Sequence, residues 1–262
     1  MPKIKYRLIG RYFGNLYDGA RGGNRTRTTF GQGILSPSRL PIPPLAHIYL
    51  QARHLHIWHC LYYTIFIKQI VIIHGGSSFN SYENYLNHLK SSQLHYERLL
   101  WSQKWRDWLA QEIVDADVLL PDFPNKQNAS YAEWKIYFEK LLTLLRDDVQ
   151  LVGYSLGAMF LAKYLHESPL GSPVRRLVLV SPCYDDESVE DLGSFQVESA
   201  AGLEKSAEEI HLFHSKDDPV VPFSELTKFQ RDLSAAKIHV FEDRGHFFQS
   251  TFPELKELLE EK

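Results

Sequence analysis

The sequence predicts an α/β fold, a mostly parallel sheet of about six strands covered by helices on both faces. Two observations carry this expectation. From Lys68 onward, short apolar runs alternate with amphipathic stretches, the pattern of strands that feed crossover helices. The size is also right, since 262 residues with 44% hydrophobic content suit one α/β domain plus an appendage and exclude a disordered, collagenous or disulfide-stapled chain.

Taken in order, the strands are expected over 69–73, 117–120, 149–152, 176–180, 210–213 and 237–241. Helices are expected over 101–114, 131–146, 156–167 and 223–235, with a last one from Pro253. In the second helix Trp134, Phe138, Leu141, Leu142 and Leu145 recur every three or four residues, so one face packs on the sheet. In such a doubly wound sheet, ligands bind beyond the carboxyl ends of the strands. The acid-rich run 182–209, with nine acids against Lys205 alone, reads as a solvated loop.

The first 67 residues do not follow this pattern. Glycines from Gly10 to Gly33 and prolines from Pro37 to Pro44 interrupt any periodic segment before about Ile48. They carry nine Lys/Arg against one acid, a net of +8, and leave 20 basic and 31 acidic side chains, a net of -11, in 68–262. Residues 1–67 are therefore expected to be a basic extension, disordered or not part of the functional domain, which is 68–262. Residues 22–46 look like a translation product of a reading frame crossing a transfer-RNA gene, and a start near Ile67 would suit the domain. No recognition fold accompanies the charge, so nucleic-acid binding is not expected. His54, His56, His59 and Cys60 match no zinc spacing, and neither a metal nor a cofactor is expected. The most apolar window, 55–67, is too short to span a bilayer. Two cysteines, Cys60 and Cys183, provide no disulfide framework, and a cytoplasmic location follows as the simplest expectation.

The chemistry sits after the third strand. Gly153-Tyr154-Ser155-Leu156-Gly157 is a G-x-S-x-G nucleophile elbow in the context it needs, strand then sharp turn then helix. A serine hydroxyl is a weak nucleophile without a base, and the base needs an orienting carboxylate. In chain order the acid and the histidine should follow on later loops. His246, after the last strand and Gly245, is the expected base; activity should fall below about pH 6, because the imidazole must be neutral to accept a proton. Asp218 is the favoured acid, on its spacing to Val221 and Pro222, and Asp217 is the alternative. The oxyanion donors are expected to be the backbone N–H groups of Leu156 and Gly76, with Ser77 next after Gly76. Phe79, Phe123, Tyr154, Phe160, Tyr184 and Phe247 are candidates for an apolar rim, of which Tyr154, Phe79 and Phe247 are the favoured substrate contacts.

These motifs resemble the α/β-hydrolase superfamily over about three-quarters of the chain. Within it, His74-Gly75-Gly76, the Ser155 elbow, Asp218-Pro219-Val220-Val221-Pro222 and Gly245-His246-Phe247 resemble the small serine hydrolases of the retinoblastoma-binding-protein-nine and YdeN type. The resemblance implies a compact α/β-hydrolase without a large lid and a Ser155–Asp218–His246 triad. The implied reaction is hydrolysis of a small carboxylic acyl ester through an acyl-enzyme. Alternatives are a thioesterase or amidase using the same triad, or a non-catalytic binding protein on this scaffold. Two departures stand out. The Leu-x-Cys-x-Glu peptide of the human namesake is absent, and 81–100 is a long first crossover that could cover the site with Tyr82, Tyr85 and Tyr96.

Overall fold

A computed structural model describes residues 67–185 and 191–261. The expectations for the basic extension, including the His54, His56, His59 and Cys60 cluster, lie outside those residues.

Six strands, β1 (Lys68–Ile73), β2 (Ala116–Leu119), β3 (Gln150–Tyr154), β4 (Val174–Val180), β5 (Ala207–Ser215) and β6 (Lys237–Phe241), form one sheet in the order β2-β1-β3-β4-β5-β6. Every pairing is parallel. The helices are α1 (Tyr82–Ser91), α2 (Tyr96–Leu99), α3 (Trp105–Glu112), α4 (Tyr131–Leu142), α5 (Leu156–Glu167), α6 (Ser224–Asp232) and α7 (Pro253–Glu260). The winding reverses between β1 and β3, so the chain ends leaving those two adjacent strands diverge into a crevice at their carboxyl edge.

Alternation along each strand divides the core into two layers. Val71, Ile73, Leu151, Leu177, Leu179 and Leu212 face Trp134 and Phe138 of α4, Phe160 of α5 and Phe229 of α6. Ile70, Ile72, Val152, Val178, Val180 and Phe213 face Trp105 and Leu109 of α3 and Leu255 and Leu259 of α7. The apolar stripe read on α4 is observed, with Trp134 and Phe138 fully buried and Leu141, Leu142 and Leu145 packed at its margin.

A buried cation joins the layers at the opposite edge from the crevice. Arg176 of β4 is 1% exposed, donates to Gln150 and Glu209, and reaches the Leu258 carbonyl near the end of α7. Its charge is met on every side, which is the condition for keeping a guanidinium in a core.

Two expectations need correction. Over its described residues, 182–185 and 191–209, the acid-rich run is not a solvated loop. Cys183, Tyr184, Leu192, Phe195, Val197, Ala200 and Leu203 are buried in the core layer over α5, while Glu198, Glu204 and Glu208 point to solvent. Buried Glu225 of α6 accepts from the amides of Tyr184 and Asp185 and pins the start of this segment. The long crossover 81–100 forms α1 and α2, with Ser81 Oγ accepting from the Asn84 amide at 3.1 Å as the α1 cap. It does not cover the Ser155 site: Tyr82 and Tyr96 are exposed, and Tyr82 and Tyr85 border a separate groove.

Candidate active site

β3 ends directly in the turn that carries Ser155. Its backbone has φ 53° and ψ −121°, a strained conformation for a residue with a side chain, and it projects the hydroxyl beyond the sheet edge. The flanking glycines are required by close approach. A Cβ on Gly153 would lie 2.6 Å from Ala158 Cα, and one on Gly157 would lie 2.6 Å from the carbonyl oxygens of Ile73 and His74.

The three residues expected from the motifs meet at this point. His246 Nε2 is 2.9 Å from Ser155 Oγ, and His246 Nδ1 is 2.8 Å from Asp218 Oδ2. With Nδ1–H donating to the carboxylate, Nε2 is left as the acceptor of the serine proton. The Asp218 side chain is fully buried, yet every oxygen is occupied. Oδ1 accepts from the amides of Val220 and Val221, and Oδ2 accepts from Ser181 Oγ at 2.9 Å. Burial works against its charge, but the hydrogen bonds from His246 and from the two amides outweigh burial and hold the carboxyl below its usual value.

Asp217 does other work. Its carboxylate accepts from Ser215 Oγ at 2.5 Å and from the Gly245 amide at 2.8 Å, so it fastens the loop that carries His246. Tyr154 also acts on that loop, since its hydroxyl donates to the His246 carbonyl at 2.7 Å. Its ring still forms part of the cleft wall.

Gly76 and Leu156 share the wall of a small cavity with Ser155. The amide of Leu156 is the first of α5 and has no intrahelical acceptor. The amide of Gly76 has no acceptor among the described residues, whereas that of Ser77 donates to the Lys126 carbonyl at 2.8 Å. His74 bears on how the Gly76 amide is turned. Its Nε2 accepts from the Phe123 amide at 2.8 Å, so its proton is on Nδ1 and donates to the Gly75 carbonyl at 2.7 Å. Burial depresses the pKa of His74 and keeps it neutral. In a trans peptide the carbonyl and the following N–H point in opposite directions, so holding Gly75 C=O inward turns Gly76 N–H outward.

Ser155 lies between two cavities of unequal size. The tight one, about 20 Å³, is bounded by Gly76, Leu156, Met159, Cys183, Leu192 and Val221 and has room for roughly one water-sized group. The wide one, about 430 Å³, is bounded by Trp105, Arg106, Tyr154, Phe248 and Gln249. Of the proposed rim, Phe247 lines the wide cleft but is buried against Phe241 and Phe252. Phe79 lines neither cavity; it packs on Tyr85 and His88 beside the outer groove. Phe123, Phe160 and Tyr184 are core residues, because α4, α5 and α6 fold over them. Ser181, Arg106 and Phe248 were not legible as site residues. Only Ser181 carried a signal, its place directly after β4 at the sheet edge.

Among the described residues no group of three His, Cys, Asp or Glu side chains is placed to hold a metal ion. No helix among them is long and apolar enough to cross a membrane.

An all-parallel doubly wound sheet that presents a serine on a strained strand-to-helix turn, hydrogen-bonded to histidine, is the architecture of an α/β-hydrolase. Residues 97–259 match the profile described as serine hydrolase, and the chain belongs to that family. It is 26% identical over 169 residues to YdeN of Bacillus subtilis strain 168, a protein provisionally named a hydrolase, over 60% of this chain and 84% of that one. The crystal structure of the B. subtilis ydeN product superposes with a TM-score of 0.57 at 21% identity, covering 73% of this chain and 96% of that one. A YdeN-like protein of Pectobacterium atrosepticum gives 0.52 at 16% identity, covering 74% and 90%. The protein is thus a hydrolase of the small α/β type.

Proposed function

We propose that this hydrolase cleaves small carboxylic esters through an acyl-enzyme formed on Ser155. The observation that carries the reading is the unbroken hydrogen-bond chain from Ser155 Oγ through His246 to a buried, charged Asp218. His246 Nε2 removes the serine proton as Oγ bonds to the ester carbonyl carbon. The N–H groups of Gly76 and Leu156 hold the resulting oxyanion. As the intermediate collapses, the carbon–oxygen bond to the alcohol breaks and His246 delivers the proton to that oxygen. Water then adds to the acyl group by the same route, its proton passing through His246 to Ser155 as the acid leaves. Asp218 holds the imidazole in the required tautomer and offsets its transient charge.

The unequal cavities support an ester with one compact half and one larger half. A small diffusible ester requires neither nucleic acid nor membrane, and two cysteines, Cys60 and Cys183, provide no disulfide framework, which suits the cytoplasm. The test is labelling with a fluorophosphonate probe. Wild type should react, Ser155→Ala should not, and equal labelling of the two would overturn the role of Ser155. Short-chain aryl esters should be turned over faster than matched acyl thioesters; the reverse order would make the protein a thioesterase.

A further inference from the structure

The wide cleft beside Ser155 has a charge opposite to that of its domain. Among the described residues, Lys104, Arg106 and Lys126 line it and no Asp or Glu does, although 68–262 carry a net of -11. The three cations are not equivalent. Lys126 is half exposed and paired with Asp122 at 3.0 Å, and Lys104 is exposed with its ammonium on Ser102 Oγ. Arg106 is half-buried in α3 and, among the described residues, has neither a hydrogen-bond acceptor nor a carboxylate partner. The acids that influence it at longer range, Asp107 and Asp122, are both exposed.

A guanidinium withdrawn from water without a counter-charge is costly, and burial lowers its hold on the proton. Arg176 shows how the same chain treats a guanidinium that serves structure alone, with acceptors around it. At Arg106 the open fork of donors faces the cleft that must hold the larger half of the substrate. The other cavity has the opposite character, because Asp191 lies in its wall.

We infer that the substrate half held in the wide cleft bears an anionic group, a carboxylate or a phosphate, gripped by Arg106 with Lys104 and Lys126 strengthening the field. This rests on Ser155 being the nucleophile. A planar fork of donors matches either anion bidentately and selects it over neutral esters of the same size. With the anion at the Arg106 end and the compact half in the tight pocket, the scissile carbonyl lies across Ser155 between them.

The test compares anionic and neutral esters in pairs. Mono-4-nitrophenyl glutarate against 4-nitrophenyl butyrate places the charge on the acyl half. Likewise, 4-acetoxybenzoate against 4-acetoxybenzamide places it on the alcohol half. At low ionic strength one anionic member should be favoured about tenfold or more in kcat/KM. That ratio should fall about tenfold in Arg106→Gln, fall less in Arg106→Lys, and shrink with added salt. Because the ratio is taken within each variant, loss of folded protein cancels from it. No anionic preference in wild type, or a preference that survives Arg106→Gln, would overturn the inference. Fluorophosphonate labelling separates the two levels: label on Ser155 without anionic preference removes only this inference, and absence of label removes the esterase reading beneath it.

Discussion

At the scale of single residues, the site assigns different tasks to neighbours that look alike in sequence. Asp217 and Asp218 are adjacent, yet one fastens the histidine loop and the other holds the imidazole. Asp218→Asn should therefore lower kcat by about 10³–10⁴ with little change in KM, because an amide cannot hold the same tautomer or charge. Asp217→Asn should cost far less, and comparable losses in steady-state kinetics would contradict the assignment. His74 offers a finer test. Asn can place an N–H donor at the Nδ1 position, whereas Gln can replace only the acceptor at Nε2, so His74→Asn should retain more kcat than His74→Gln if aiming Gly76 N–H is its task. Equal losses would make His74 a packing residue. Ser155, His246 and the Gly-Gly loop were legible because motif, chain order and strand ends all restrict them. Arg106 was not, since its meaning comes from having no carboxylate beside it among the described residues, and no spacing encodes such a lack.

At the scale of elements, periodicity located all six strands to within a few residues, because strands of a covered parallel sheet are short apolar runs. Ends set by polar contacts were missed. β5 starts at Ala207, earlier than the apolar run, because Glu209 is held within it by His211 and Arg176. The 182–209 run misled for a related reason: its acids dominate the composition, while seven apolar side chains, too irregularly spaced for any period, build the packing. Phe195, fully buried against Tyr131, Trp134 and Phe160, provides the measurement. Phe195→Ala should lower unfolding free energy by about 3–5 kcal/mol in denaturant titration. A change within about 0.5 kcal/mol, as for a surface loop, would restore the solvated reading.

At the scale of the whole molecule, buried ionisable groups set the response to acid. His74, His211, His214 and His239 all have pKa values depressed, in each case chiefly by burial. The unfolded chain thus binds protons that the folded one refuses, and stability present above about pH 6.5 is lost as pH falls below it. Glu209 extends the decline. Hydrogen bonds from His211, Arg176 and Lys237 outweigh its burial and hold it near pKa about 2, so its contribution, intact above about pH 4.3, is lost on the way to that value. Urea midpoints should fall from pH 7.5 through 5.5 to 3, and Glu209→Gln should flatten the part of the curve below about pH 4.3. A midpoint constant over that range would show the histidines to be protonated in the folded state. The parallel sheet has a consequence in time as well. β1 is central and must pair with β3, with Ile70 opposite Gln150. Made at roughly 5–20 residues per second, the earlier strand waits on the order of 4–16 s for its partner. During synthesis the run Ile70-Val71-Ile72-Ile73 is left as an unpaired sticky edge, so the nascent chain, rather than the finished enzyme, is where this protein is most exposed to aggregation and has most need of a chaperone.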